Sequence, residues 1–183
     1  MNHPLLFLSP RRQLFWLSLM TTLSLLMTSG QLWANMRLIN NHAPAGILSF
    51  EFAGTLANAR LMIHSWDYIA KLQAAFCLGV DFLNLVMYST AFSIACLYIA
   101  RMSLKNSLLS QVGIAIAWLQ WIAALFDGVE NISLMALLSD SNYEWLPPLA
   151  YAMAAAKFAF VGLALLYLFT GFFNLWWQIR TDT

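Results

Sequence analysis

Four ionisable residues stand inside long apolar stretches of this chain: Asp81, Asp127, Glu130 and Lys157. A charge at bilayer depth costs at least about 2.5–3.5 kcal/mol on insertion scales, so each one marks either a site or a pairing. Their depths agree. Asp81 lies nine residues in from Leu72, Lys157 eight in from Leu149, Glu130 eight in from Leu138, and Asp127 eleven in from Leu138. Three separate segments therefore bring charge to one level.

Their rotational positions agree as well. At about 100° per helical residue, Asp81, Asn84 and Tyr88 fall on one stripe, shared with Cys77. Asp127, Glu130 and Asn131 share an arc with Gln120. Lys157 lines up with Ala150, Ala154, Ala164 and Gly171, small residues that let helices approach closely. In the first apolar segment Ser18, Thr22 and Ser29 form a stripe expected to hydrogen-bond across the bundle.

Three carboxylates against one ammonium leave an excess of two negative charges, which one proton or a bound cation would relieve. The residues expected to line a ligand or cation site are thus Asp81, Asn84, Tyr88, Asp127, Glu130, Asn131 and Lys157. Trp118 and Trp121 are expected nearby, as faces for a desolvated cation. Three functions fit these residue types. The first is an acidic intramembrane pocket for a proton, a cation or a small cationic ligand. The second is a membrane enzyme on a lipid or isoprenoid substrate, with Asp127 and Glu130 as acid and base. The third is a non-catalytic subunit or assembly factor, in which the buried charges only fix helix register. The first is the reading adopted. No metal or cofactor is assigned, because the residues carry no metal-binding or nucleotide-binding motif.

The elements that must position these residues follow from composition. The chain has 183 residues, 61% of them hydrophobic, 15% aromatic and 9% charged. Its mean hydropathy is +0.69. A soluble domain of this size cannot hide so much apolar side chain. A net charge of +1 provides no basic stripe for nucleic acid, so the expected partners are the bilayer, a small cationic or lipidic ligand, and other copies or subunits in the membrane. Cys77 and Cys96 fall on one helix 19 residues apart, about 28 Å at helical rise, beyond disulfide reach.

Four stretches reach the roughly 20 residues needed to span a bilayer: 14–33, 72–100, 109–138 and 149–177. The expected fold is all-α, a polytopic four-helix membrane bundle forming a single domain. A signal peptide is the alternative for the first stretch. It is disfavoured because the apolar run continues to Trp33 without a small-x-small site.

Arg11, Arg12, Arg101, Lys105 and Arg180 fall on one side, against Arg37, Arg60 and Lys71 on the other. That distribution places both termini in the cytoplasm of a cell-membrane protein. Trp16, Trp33, Trp145, Trp176 and Trp177 are placed as interfacial anchors near span ends. Residues 34–71 form the outer segment between the first two spans. Leu48 to Gly54 reads as a short extended stretch, and Thr55 as the N-cap of an amphipathic helix. Leu56, Ala59, Ile63, Trp66 and Ala70 make its apolar stripe, and Asp67 and Lys71 an i,i+4 pair. Glu51, Arg60 and His64 are its candidate lid residues over the pocket.

Overall fold

The computed structural model describes residues 3–103 and 107–181, without the side chains of 175, 177–179 and 181. Lys105 and the Trp177 side chain, both used above, lie outside the described residues. All regular structure described is helical: a 3-10 turn at Pro4–Phe7, then α1 (Pro10–Asn35), α2 (Ile47–Glu51), α3 (Leu56–Ser65), α4 (Tyr68–Met102), α5 (Leu108–Leu138) and α6 (Leu146–Thr181).

Short polar residues set the helix starts. Ser9, Thr55, Asp67 and Ser107 each accept a hydrogen bond from the backbone N–H three residues on, at α1, α3, α4 and α5. Pro10 and the Pro147–Pro148 pair occupy first turns, where a missing N–H costs nothing. Gly46, at φ 63°, turns the chain into α2 while the Asn35 carboxamide accepts from the Ile47 N–H at 2.7 Å. A Cβ on Gly46 would run into that Asn35 side chain.

The four long helices alternate in direction. Gln31 meets Asp81 while Gln13 meets Arg101, so α1 and α4 are antiparallel. Ser93 donates to the Ala117 carbonyl and Asn131 to Asp81, which fixes α4 against α5. Gln120 reaches the Phe160 carbonyl and Tyr167 the Leu109 carbonyl, which fixes α5 against α6. α1 packs on α4, α4 on α5, and α5 on α6, with a smaller α4–α6 contact. Two apolar clusters close the ends. One joins α2 and α3 to the ends of α4, α5 and α6 through Phe50, Ile63, Trp66, Leu78, Leu134 and Leu137. The other holds Leu97, Ile116, Ala117, Ala164 and Tyr167 at the opposite end.

Three helices are long and apolar enough to cross a membrane, not the four expected: Tyr68–Met102, Leu108–Leu138 and Leu146–Asn174. This suggests a membrane protein, on length and composition. α1 has the length, 26 residues or about 39 Å. What it lacks is apolarity, because hydroxyl and amide side chains recur from Ser18 to Gln31.

The outer segment differs from expectation in two places. The Leu48–Gly54 stretch is not extended: Ile47–Glu51 is a helical turn that buries Phe50 against Trp66. The amphipathic helix stops at Ser65, because Asp67 caps a new helix through the Ala70 N–H at 2.7 Å. The Asp67 carboxylate is thereby committed to that cap and to Arg37 at 3.7 Å, not to Lys71. The apolar stripe is nonetheless buried at Ala59, Ile63, Trp66 and Ala70. Trp66 donates its indole N–H to the Leu38 carbonyl at 2.9 Å, which ties the α3–α4 corner to the chain leaving α1.

Candidate functional site

Between the two apolar clusters lies a polar layer built by all four long helices and α2. Lys157, on α6, is its hub. Its ammonium stands 2.8 Å from Asp127 Oδ1, 2.8 Å from Glu130 Oε2 and 3.7 Å from Glu51 Oε2. The small residues on its face make this approach possible: Ala150, Ala154 and Ala164 are fully buried where α6 meets its neighbours. Asp127 also accepts from the Tyr88 hydroxyl at 2.8 Å. One turn further along, Asp81 accepts from Gln31 at 2.9 Å and from Asn131 at 2.8 Å. Asn84 accepts from Ser24 at 2.7 Å and donates to Thr28 and Gln31. The hydrogen bonds thus form two neighbouring groups, one joining α1, α4 and α5 through Asp81 and Asn84, the other joining α4, α5 and α6 through Asp127 and Lys157.

Glu51 reaches this layer from outside the spans. Burial pushes its carboxyl above the ordinary range, opposed by the Lys157 ammonium and by a hydrogen bond to Glu130. The Oε2 atom of Glu51 is buried without a hydrogen bond, the Lys157 ammonium standing 3.7 Å away. Two carboxyl groups can hydrogen-bond to each other only if one is protonated, so this contact holds one proton between Glu51 and Glu130.

A cavity of about 570 Å³ opens beside this layer. Asp81, Asn84, Tyr88, Asp127, Asn131 and Lys157 line it, as does Glu51. Six of the seven predicted site residues are therefore brought to one space. The seventh, Glu130, is fully buried behind Lys157 and does not face the cavity. The Cys77 thiol also borders it and lies 3.6 Å from the Gln31 carbonyl. Cys96 is buried and free at the other end of the same helix.

Several expected members stand elsewhere. Arg60 does not cover the cavity. It bonds Asp140 at 2.8 Å, the Ser141 carbonyl at 2.9 Å and Asn142 at 2.7 Å, holding α3 to the loop between α5 and α6. His64 is exposed and takes no part in the lining. Of the lid residues only Glu51 reaches the site. Trp118 and Trp121 are not beside the carboxylates: they flank the fully buried His3 ring at 4.6 and 4.7 Å. On α1 the predicted Ser18, Thr22 and Ser29 are exposed, and Ser29 bonds back to the Leu25 carbonyl. The inward residues are Ser24, Thr28 and Gln31. Gln31 was legible, since Ser24, Thr28 and Gln31 stand at i, i+4 and i+7 on one face.

Among the described residues no group of three or more His, Cys, Asp or Glu side chains is arranged to hold a metal ion. The carboxylates converge on an ammonium instead. What the arrangement can do chemically is present acceptor oxygens to a donor. A carboxylate has about four lone-pair sites, and Asp81 and Asp127 each receive two hydrogen bonds, leaving capacity on both. No protein-family model, no curated protein and no solved structure matches this chain.

Proposed function

We propose that this chain is a multi-pass membrane protein whose bundle binds a proton or a cationic group at the acidic wall of its cavity. The observation that carries this reading is the charge inventory around the space: Glu51, Asp81 and Asp127 line it, Glu130 stands behind, and Lys157 is the one ammonium among them. α1 runs beside α4 over the same depth, held by Ser24–Asn84 and Gln31–Asp81, so it shares the layer that α4 occupies. On this reading α1 is a fourth span whose polar face is satisfied by protein. Arg11, Arg12, Arg101 and Arg180 mark the cytoplasmic side of a cell membrane, with both termini there.

The test is thermal unfolding of the detergent-solubilised full chain with methylammonium chloride, against sodium chloride at equal ionic strength. A ligand at about 100 times its Kd stabilises the folded state by about 2.7 kcal/mol. The expected result is a rise in Tm with methylammonium that disappears in Asp81→Asn. Equal behaviour in the two salts removes the proposal.

One observation favours a second reading, an enzyme on a lipid or isoprenoid substrate. The Tyr88–Asp127 pair, an O–H donor on a carboxylate, sits at the edge of a space walled largely by hydrocarbon.

A further inference from the structure

We infer that the occupant of the cavity is a single-chain amphiphile with a primary or secondary amine head, entering sideways from the bilayer between α1 and α6. This rests on the acidic-pocket reading above and names the ligand class.

The entrance comes from the packing. α1 leans on α4 and α6 on α5, and α1 and α6 have no substantial contact with each other. The cavity lies in that gap, with α1 residues on one flank and Phe158 and Val161 of α6 on the other. Three of its lining residues are also among the exposed apolar side chains: Leu32 at 63%, Phe158 at 46% and Leu48 at 41%. They form the mouth. A mouth rimmed by Leu, Leu and Phe on a bundle of apolar helices faces hydrocarbon, where a water-soluble cation does not travel.

The far wall is the opposite in character. Asp81, Asn84, Tyr88, Asp127 and Lys157 come from α4, α5 and α6, and the acids outnumber the ammonium. A ligand that suits both walls carries a positive head inward and an apolar tail outward. The head is an amine with N–H groups, not a quaternary ammonium, because Asp81 and Asp127 keep lone pairs that only N–H donors can use. A volume of about 570 Å³ lies within the roughly 300–1,000 Å³ typical of small-ligand sites, which suits one chain.

The experiment is photolabelling of the full chain in lipid nanodiscs with three dodecyl probes. Each carries a diazirine near the tail end, and their heads are amine, alcohol and carboxylate. Labelled residues are mapped by peptide mass spectrometry. The amine probe is expected to label the peptides of Leu32, Leu48 and Phe158 about tenfold more than the other two, equivalent to about 1.4 kcal/mol of head-group preference. That excess is expected to vanish in Asp81→Asn and Asp127→Asn.

Equal labelling by all three heads in the unaltered protein overturns the inference, as does an amine excess confined to other surfaces. The methylammonium measurement separates the two levels. Equal labelling with the methylammonium shift intact removes the amphiphile alone. Equal labelling with no shift removes the acidic-pocket reading as well.

Discussion

Replacing Lys157 with Met tests whether one ammonium holds the polar layer together. Asp127 and Glu130 each lie 2.8 Å from it, and their side chains are 2% and 0% exposed. Removing one partner of a buried ion pair costs about 3–5 kcal/mol, because the charge left behind has neither water nor a counter-ion. Lys157→Met strands two such charges at once, so about 3–5 kcal/mol is the lower expectation. Removing one acid is milder. In Asp127→Asn the ammonium keeps Glu130, and the Tyr88 hydroxyl still finds an amide oxygen, so the loss is about 1–3 kcal/mol.

The neutral triple variant, Lys157→Met with Asp127→Asn and Glu130→Gln, should recover most of what Lys157→Met loses, since a buried ion cluster is often replaceable by uncharged groups at little net cost. The assay is reversible unfolding in mixed micelles titrated with sodium dodecyl sulfate and followed by circular dichroism. A Lys157→Met protein within about 1 kcal/mol of the parent, or an Asp127→Asn protein as damaged as Lys157→Met, would refute the reasoning.

Two further outcomes follow from other parts of the structure. Glu51 has its folded-state pKa raised by burial above the ordinary 4.5. Its contribution is therefore fully present below that value and is lost as pH rises through the folded pKa. Tm of the parent should decline over that rise, and Glu51→Gln should decline less; parallel Tm curves would count against the buried contact with Lys157 and Glu130. At Gly113 an added Cβ would meet the Tyr167 hydroxyl and ring, and at Gly171 it would meet Ile99. Gly113→Val and Gly171→Leu should each cost about 1–3 kcal/mol by overpacking. Gly162→Ala meets nothing within 4 Å and should gain about 0.5–1 kcal/mol from helix propensity, a contrast read in the same micelle titration.

The charged layer was legible because burial of an ionisable group is expensive wherever it occurs. Depth counted along three helices, with the 100° rotation, was enough to bring Asp81, Asp127, Asn131 and Lys157 to one space. The outer segment was less legible. Leu48–Glu51 alternates apolar and polar residues like a strand, yet among the described residues no second strand stands ready to pair with it, and the Asn35 carboxamide captures the Ile47 N–H to start a helical turn. Asp67 belongs by spacing to a pair with Lys71, but a short acid before Tyr68 serves better as a cap.

The α1 face was misassigned because Ser and Thr can satisfy themselves on their own helix, as Ser29 does. Hydroxyl spacing therefore says little about direction, whereas the amide of Gln31 needs partners elsewhere and finds Asp81. Trp118 and Trp121 are close in sequence to Asp127 but are taken up by His3, from a turn whose destination no local pattern reveals.

The division of labour between α1 and α4 bears on how the chain is made. α1 leaves the ribosome before α4, yet Ser24, Thr28 and Gln31 find their companions only on that helix, which begins 37 residues after Gln31. If α1 is a span, it would settle late, waiting near the translocation machinery until Asp81 and Asn84 arrive. Biogenesis would then proceed by hairpins rather than helix by helix, and a ribosome stalled before Asn84 would carry a nascent chain whose α1 segment is still extractable by alkaline carbonate.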